Sequence, residues 1–242
     1  MTEEETEEIF PAPVLAPSPK SLSYFDVDYA AWRPVPGKRD QHGNMIVYFQ
    51  NPMGVRLWAP DQVPQTLEVV FPVDPNHRGN FDRPSSEPPN SLDVCLRIPP
   101  NLQEWLERLE THMQQQMALN SQAWFAKQMP LEVVQKLYTN LIKSSGQYPP
   151  HLKTRLVLSG SGGNPPTTVK ILGPDRTLVA QGSGMDFVLA HQGEGRWRRA
   201  LARAVVVPQK IMYSRVKIFF SLRLTHLEIQ EAPEAEPDDP FA

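Results

Sequence analysis

Proline placement restricts the fold of this chain more than any other feature of its sequence. The 242 residues include 26 prolines, which is about twice the usual share of ~5%, and they concentrate in residues 11–19, 34–36, 84–100 and 233–240. Proline lacks a backbone donor and fixes its own φ, so it is disfavoured inside helices and central strands. The clustering therefore predicts strands joined by stiff loops.

Short apolar segments between these clusters have the period of two that is typical of strands. The clearest is residues 91–98, where Leu92, Val94, Leu96 and Ile98 fall on one face. The predicted strands are residues 45–49, 54–58, 66–71, 91–98, 152–158, 167–172, 177–180, 185–189, 201–207 and 213–224.

Two of these segments carry further expectations. Residues 152–158 and 167–172 flank a glycine-rich loop, so they are expected to pair as a hairpin. In residues 213–224, one face is expected to mix basic and aromatic side chains, namely Tyr213, Arg215, Lys217 and Phe219.

Two helices interrupt this β pattern. The first begins at residues 99–101, where proline suits an opening turn, and its apolar residues recur at spacings of three and four: Leu102, Trp105, Leu106, Leu109, Met113 and Met117. The second is expected to begin at Pro130 and to end before Gly146. The fold class predicted from the residues is therefore mainly β, of the α+β kind.

The net charge of −3 conceals a strong asymmetry along the chain. Residues 1–19 and 228–242 hold 11 acids and no Lys or Arg, which leaves 16 acids against 24 basic residues, so the remainder is about +8. Residues 195–227 contain no acid at all. A basic body between acidic ends favours a polyanion as the partner. The expected organisation is a disordered acidic arm (1–20), one domain (21–229) and a disordered acidic tail (230–242).

Composition and motifs argue against several other classes of protein. The single cysteine, Cys95, cannot form an internal disulfide, which favours a reducing, intracellular compartment. No apolar run approaches the ~18 residues of a membrane span. Phosphate-binding, zincin and hydrolase motifs are missing, and the six histidines are scattered, so we expect no enzyme activity, no cofactor and no metal site.

Basic and aromatic residues interleave along the domain, as sequence-tolerant binders of single strands require. Bases stack on aromatic faces while cations follow the phosphates. Trp197, set among arginines, is the strongest candidate for stacking, whereas core packing is an equal alternative for Tyr48, Trp58 and Phe219, and Trp105 and Trp124 are expected in the core. The candidate DNA-binding residues are Trp32, Arg33, Tyr48, Arg56, Trp58, Lys143, Tyr148, Lys153, Arg155, Lys170, Arg196, Trp197, Arg198, Arg199, Arg203, Lys210, Tyr213, Arg215 and Lys217.

The last nine residues, EAEPDDPFA, place one aromatic side chain at the end of an acidic run. Such a peptide could dock on a basic, apolar pocket of a partner and could compete with DNA for the chain's own basic surface. The candidate partner-binding residues are Asp238, Asp239 and Phe241.

That ending resembles the acidic tip of bacterial single-stranded-DNA-binding proteins, although here Ala242 follows Phe241. A wider resemblance covers residues 45–229. Residues 120–127 (NSQAWFAK), Val133-Val134, Tyr138, Tyr148-Pro149-Pro150 and the closing strand resemble the single-stranded-DNA-binding proteins of giant nucleocytoplasmic viruses, which are similar to those of short-tailed phages.

The resemblance implies an OB-type β-barrel with a helical insertion at residues 101–145 and a second half that begins at Tyr148. It also implies that the tail contacts a polymerase, helicase or primase, in the nucleus or at a cytoplasmic viral replication site. The chain is thus expected to bind single-stranded DNA without sequence preference, in replication, recombination or repair, and homo-oligomerisation stays open. The alternatives are a single-stranded-RNA-binding regulator and a structural protein-interaction module.

Overall fold

The computed structural model describes residues 21–37, 39–50, 52–58, 66–71, 73, 90–145, 148–158, 160, 165–190, 197 and 199–230. The acidic arm 1–20, the tail from residue 231 onward with Asp238, Asp239 and Phe241, and the candidates Arg196 and Arg198 all lie outside these ranges.

Strands dominate the described residues, and four α-helices and two short 3-10 helices, Tyr24–Asp26 and Tyr29–Ala31, accompany them. The strands are β1 (Ser21–Ser23), β2 (Arg33–Val35), β3 (Met45–Gln50), β4 (Gly54–Arg56), β5 (Leu67–Glu68), β6 (Ser91–Arg97), β7 (Tyr138–Thr139), β8 (Ile142–Ser145), β9 (Tyr148–Val157), β10 (Thr168–Leu172), β11 (Leu178–Ser183), β12 (Leu201–Tyr213) and β13 (Ile218–Gln230). The α-helices are α1 (Pro100–Leu119), α2 (Ser121–Phe125), α3 (Leu131–Leu137) and α4 (Gly184–Ala190).

The sheet is organised around the long antiparallel hairpin of β12 and β13. Along the edge that faces away from β13, β12 pairs in succession with β5, β4 and β3. Along the opposite edge, β13 pairs with β7, β9 and β10, all parallel to it. β6 and β8 then pair with β9, and β11 pairs with β10. The expected fold class, mainly β (α+β) and of OB type, is confirmed.

Helix α1 forms where its periodic apolar residues predict it. Leu102, Leu106, Leu109 and Met117 are all fully buried in the core, because residues three and four apart share one helix face. Trp105 and Trp124 are also core residues, as expected. None of the helices in the described ranges is both long and apolar enough to cross a membrane.

The predicted hairpin between residues 152–158 and 167–172 is wrong. Both segments are strands, but each lies parallel to a different part of β13, with Arg155 opposite Arg223 and Thr168 opposite His226. Because β13 is 13 residues long, it offers enough hydrogen-bonding edge for both. Adjacency in sequence did not decide their pairing.

The predicted strand 213–224 is also wrong, because a turn interrupts it. The Ser214 hydroxyl accepts a hydrogen bond from the Lys217 backbone N–H at 3.1 Å and donates one to the Lys217 carbonyl at 3.1 Å. Tyr213 therefore lies opposite Ile218 on the returning strand. The basic and aromatic face expected from Tyr213 to Phe219 does not exist.

Two further elements differ from expectation. Residues 185–189 lie in helix α4 instead of a strand, because Asp186 accepts hydrogen bonds from the Ser183 N–H and hydroxyl at 2.7 and 2.8 Å and so fixes a helix start. The second predicted helix ends at Leu137, and the chain continues into β7 and β8.

Candidate functional site

The outward side of the sheet carries a row of side chains that crosses three strands. Tyr48 on β3 lies opposite Lys210 on β12, and Lys210 lies opposite Ser221 on β13. Directly opposed residues point to the same side of a sheet. The row therefore brings an aromatic ring, an ammonium group and a hydroxyl onto one surface.

A bulge in β12 decides that Lys210 points outward. Ala202, Ala204 and Val206 are at most 1% exposed, whereas Val205 and Val207 are 6% and 7% exposed, so the even-numbered residues face the core in this part of the strand. The register then shifts between Pro208 and Lys210. Beyond this shift Ile211 is the buried residue, so Lys210 and its even-numbered neighbours face away from the core. An extra residue in a strand reverses the alternation in this way.

Strands β8 and β9 supply the second wall of this surface. Lys143 lies opposite His151, so it shares a side with Lys153 and Arg155 at the next alternate positions of β9. Together the two walls enclose a groove of about 450 Å³. The described residues that line this groove are Asp93, Thr139, Asn140, Leu141, Lys143, Lys153, Arg155, Lys210, Met212, Phe219, Phe220, Ser221 and Leu222.

The groove is electropositive. Of the described residues that line it, four are cationic and only Asp93 is acidic, and the Asp93 carboxylate pairs with the Lys153 ammonium at 2.7 Å. Burial, followed by the neighbouring Arg155, lowers the pKa of Lys210. Burial also lowers the pKa of Lys143, with Lys153 and Lys217 acting in the same direction. Cations held this close repel one another, and a polyanion that binds between them relieves this repulsion.

Two aromatic rings accompany these cations. Phe219 lines the groove and is partly exposed. Tyr48 is 50% exposed and lies beside Lys210 in register. An exposed ring beside a cation offers a base a stacking face and its phosphate a charge.

A buried carboxylate positions one wall of the groove. Glu110 of α1 accepts a hydrogen bond from the backbone N–H of Leu141, and Leu141 lines the groove two residues before Lys143. Burial raises the pKa of Glu110, and this hydrogen bond opposes the rise. Glu110 thus connects the helical segment to the residues that present Lys143.

The substitution Glu110→Gln is expected to remove a pH-dependent loss of stability. Because the pKa of Glu110 is raised in the folded state, its contribution favours folding below the ordinary value of 4.5 and is lost as pH rises through the folded pKa. Glutamine keeps an oxygen acceptor for Leu141. In urea unfolding from about pH 4.5 to 8, the free energy of unfolding of the variant should rise relative to that of the wild type as pH rises. A difference in unfolding free energy that does not change with pH would contradict this origin. Glu107, Tyr138 and Lys143 also influence the pKa of Glu110, and both proteins contain them.

A second, smaller pocket lies at the other end of the same hairpin. It has a volume of about 290 Å³ and holds Arg56, Trp58, Lys170, Arg203 and His226 among its lining residues. The Arg56 guanidinium lies 5.9 Å from the centre of the Trp58 ring. Arg203 forms an ion pair with Glu228 at 3.6 Å.

Arg223 lies between the two cavities, on the same side of β13. Its side chain is 8% exposed, and its Nη1 donates a hydrogen bond to the Pro165 carbonyl at 3.0 Å. Arg223 and the segment at Pro165 therefore separate the groove from the second pocket.

Trp32 is not available for stacking on a base, contrary to expectation. The side chain is 6% exposed, and its ring contacts those of Tyr29, Phe49 and Phe220. Its neighbour Arg33 is exposed. Trp32 belongs to the core because rings from distant segments converge on it.

Trp197 is also misplaced by the sequence argument. Its position among arginines predicts a stacking residue, but Trp197 is half-buried, packs against the core, and has the Phe187 ring 6.4 Å away. Phe187 comes from α4, which the sequence pattern predicts as a strand. Because this segment is predicted as a strand, the sequence does not indicate the contact between Phe187 and Trp197.

The remaining described candidates lie outside both cavities. Tyr213 packs against Phe125, and the Tyr148 ring packs edge-on against Phe71 at 4.9 Å. The candidate cations that are exposed outside both cavities are Arg33, Arg199, Arg215 and Lys217. The described cations of the acid-free stretch do not form one basic face, because they are divided between the two ends of the hairpin and the buried Arg223.

Several residues of the two cavities were not singled out from the sequence. In the groove these are Asp93, Asn140, Met212 and Ser221, and in the second pocket they are Ser21, Thr168 and His226. Their positions follow from the bulge in β12 and from the parallel pairings on β13. No local pattern signals either feature.

No group of three or more His, Cys, Asp or Glu side chains in the described part of the chain is arranged to hold a metal ion.

Comparison with known proteins identifies solved structures alone. No protein-family model and no curated protein sequence matches the chain. The single-stranded DNA-binding protein from bacteriophage Enc34 in complex with ssDNA is 13% identical, with a TM-score of 0.39 over 86% of this chain and 99% of that one. The same phage protein with a C-terminal truncation is 12% identical, with a TM-score of 0.40 over 84% and 98%. At these values, function has to be argued from the chain's own residues.

Proposed function

We propose that the groove between β8, β9, β12 and β13, with β3 beside it, binds single-stranded DNA with little sequence preference. The observation that carries this proposal is the convergence of Lys143, Lys153, Arg155 and Lys210 on one surface, flanked by the exposed ring of Tyr48. Cations recognise phosphates whatever the base, and this supports the absence of sequence preference.

Aromatic exposure favours a single strand over a duplex. The faces of Tyr48 and Phe219 can stack only on bases whose own faces are open, and paired bases are stacked within the helix. Stacking is sequence-tolerant because every base has a π-face. A duplex could contact the cations alone, so it should bind more weakly.

The proposed process is DNA replication, recombination or repair, with the acidic tail as the contact to other proteins. The tail combines Asp238 and Asp239 with the single aromatic Phe241. A short charged segment with one hydrophobic anchor suits a basic, apolar pocket. A polymerase, helicase or primase is the partner proposed for it.

A salt-dependent titration tests the proposed function. Fluorescence polarisation with oligo(dT), a matched duplex and matched RNA, from about 50 to 300 mM salt, should give the highest affinity for the DNA single strand. About 0.7 of a log unit in affinity per phosphate contact should be lost per log of salt, or roughly 3 for four contacts. Affinity that ignores salt, or equal binding of the duplex, would contradict the proposal. Preferred binding of RNA would favour the RNA-binding regulator.

Tyr48→Ala is expected to weaken binding of single-stranded DNA by about 5- to 150-fold, which corresponds to the ~1–3 kcal/mol of one stacked base. Tyr148→Ala is the matched control. Tyr148 is 48% exposed, against 50% for Tyr48, but Tyr48 lies directly opposite the groove residue Lys210, whereas Tyr148 lies opposite Ser145, outside the groove. Equal losses in both variants, measured by the same titration, would mean that exposure and not the groove determines binding.

Deletion of residues 231–242 is expected to increase DNA affinity several-fold at low salt. It removes five acids, Glu231, Glu234, Glu236, Asp238 and Asp239, that would otherwise compete with phosphates for the groove cations. The measurement is the polarisation titration at low and high salt.

The control for this deletion is Phe241→Ala, which retains the charge of the tail. Its DNA affinity should match that of the full chain, while its binding to a replication partner should weaken. Unchanged DNA affinity in the deletion would exclude competition by the tail.

A further inference from the structure

We infer that the second pocket, bounded by β4, β12, β13 and β10, receives one nucleotide of the same DNA strand, with its base on Trp58 and its phosphate at Lys170. This inference rests on the proposed function of the groove, and it extends the DNA footprint along the hairpin.

The pocket offers an aromatic face that is held in place. The Arg56 guanidinium lies over the Trp58 ring at 5.9 Å from its centre, within the range of a cation–π contact. Trp58 is partly exposed. A base that stacks on this ring would meet an indole whose orientation is already restricted.

Two polar atoms in the pocket wall lack partners. Arg56 Nε and His226 Nδ1 are buried and have no hydrogen-bond partner within the described residues. A buried donor or acceptor without a partner is rare in folded proteins and calls for an explanation. A bound molecule that carries acceptors and donors supplies one, and a nucleotide has both on its base edges and phosphate.

The charge of the pocket indicates that this molecule is anionic. Glu228 is the one acid among its lining residues, and it is paired with Arg203 at 3.6 Å. Arg56 and Lys170 have no carboxylate partner among the described residues. His226 adds no charge near neutral pH, because burial, and then Lys170, lower its pKa. The pocket therefore presents two cations in excess, together with the hydroxyls of Ser21 and Thr168.

The size of the pocket limits the ligand to one unit. Its volume of about 290 Å³ is at the lower end of the range for small-molecule sites, roughly 300 to 1,000 Å³. This space suits one base with its adjacent phosphate. Several stacked nucleotides would not fit.

The spacing of the two cavities suits a continuous strand. Ser221 of the groove and His226 of the pocket both point outward from β13. They are five residues apart, with a register shift between them where β13 pairs with Val205 and Val206, so the separation is roughly 14–17 Å at ~3.4 Å per residue. A single strand that fills the groove can therefore reach the pocket after a few nucleotides, and only oligonucleotides above a threshold length would occupy both.

The test is a length series of oligo(dT), from about 4 to 16 nucleotides, against the full chain and two variants, Trp58→Leu and Lys170→Gln. In the wild type, affinity should show a second rise once the strand spans both cavities. In each variant this rise should be lost, so that the longest oligonucleotide binds at least about 5-fold more weakly than it binds the wild type. Lys170 is on the surface side of β10, so Lys170→Gln serves if Trp58→Leu fails to fold.

The outcomes separate the two proposals. If oligonucleotides of every length fail to bind the wild type, the function proposed for the groove is overturned. Normal binding of short oligonucleotides, with no second rise or with a rise that both variants keep, would overturn the second subsite alone. In the last outcome, affinity shows no step with length, and the mononucleotide dAMP quenches the tryptophan fluorescence of the wild type but not that of Trp58→Leu. This result would show a separate nucleotide site and would contradict the shared strand.

Discussion

The double variant Arg155→Glu, Lys210→Glu should bind single-stranded DNA at least about 100-fold more weakly than the wild type. The two residues stand on β9 and β12, on either side of β13, and they are close enough for Arg155 to lower the pKa of Lys210. Each substitution removes an attraction to phosphate and adds a repulsion. A loss of about 1.4 kcal/mol at each position gives a 100-fold change.

The salt dependence should weaken in parallel. Two phosphate contacts fewer should reduce the slope of log affinity against log salt by about 1.4. Polarisation with oligo(dT) at several salt concentrations measures both quantities.

The control is a double variant with the same change in net charge, Lys127→Glu and Lys136→Glu. Both lysines are exposed, and neither lines the groove. Long-range repulsion alone should lower affinity only slightly, because charges beyond a Debye length of ~8–10 Å are screened. Equal losses in the two double variants would show that net charge, and not the groove, determines binding.

Trp32→Ala should lower the free energy of unfolding by about 3–5 kcal/mol, as is typical of a buried aromatic residue cut to alanine. The Trp32 ring lies 5.7, 6.2 and 6.4 Å from the rings of Tyr29, Phe49 and Phe220. Its removal leaves a cavity in the middle of this cluster. Urea unfolding measures the loss.

Tyr48→Ala is the contrasting variant, since Tyr48 is half-exposed. It should change the free energy of unfolding by less than about 1 kcal/mol while weakening DNA binding. A Trp32→Ala protein that unfolds at the wild-type urea concentration but no longer binds DNA would place Trp32 in the binding surface, as the sequence alone suggested.

Local periodicity predicts the elements of this chain whose environment is local. Helix α1 shows this well, because Leu102, Leu106 and Leu109 repeat at spacings that only a helix brings together, and all three are buried. Strand β6 is predicted for the same reason, from the alternation of Leu92, Val94 and Leu96. The basic character of the body, and most of the groove cations, also follow from the sequence.

The groove itself depends on long-range features that no window of sequence contains. Lys210 faces outward because of a register shift against β13. Arg155 reaches the groove because β9 pairs with β13 in parallel, more than 60 residues along the chain. The turn at residues 214–217 has the sequence SRVK, in which Ser214, a weak turn signal, stands without Gly, Pro, Asn or Asp. Each of these was therefore misread or missed.

Aromatic residues were the hardest to assign, for a related reason. A tryptophan next to an arginine can be a stacking residue or a core residue, and the decision depends on which distant side chains surround it. Trp32 meets Phe49 and Phe220 in the core. Trp58 meets only the Arg56 side chain among the ring contacts described.

Photochemical crosslinking of bound DNA locates the strand on the protein and so tests whether the groove binds it. An iodouracil-substituted oligo(dT) is bound to the full chain, irradiated, and the crosslinked peptides are identified by mass spectrometry. The account predicts crosslinks to the peptides that contain Tyr48 and Phe219, which are lost on addition of unlabelled oligo(dT). Crosslinks confined to surfaces outside the groove, such as the peptide of residues 128–136, would contradict it.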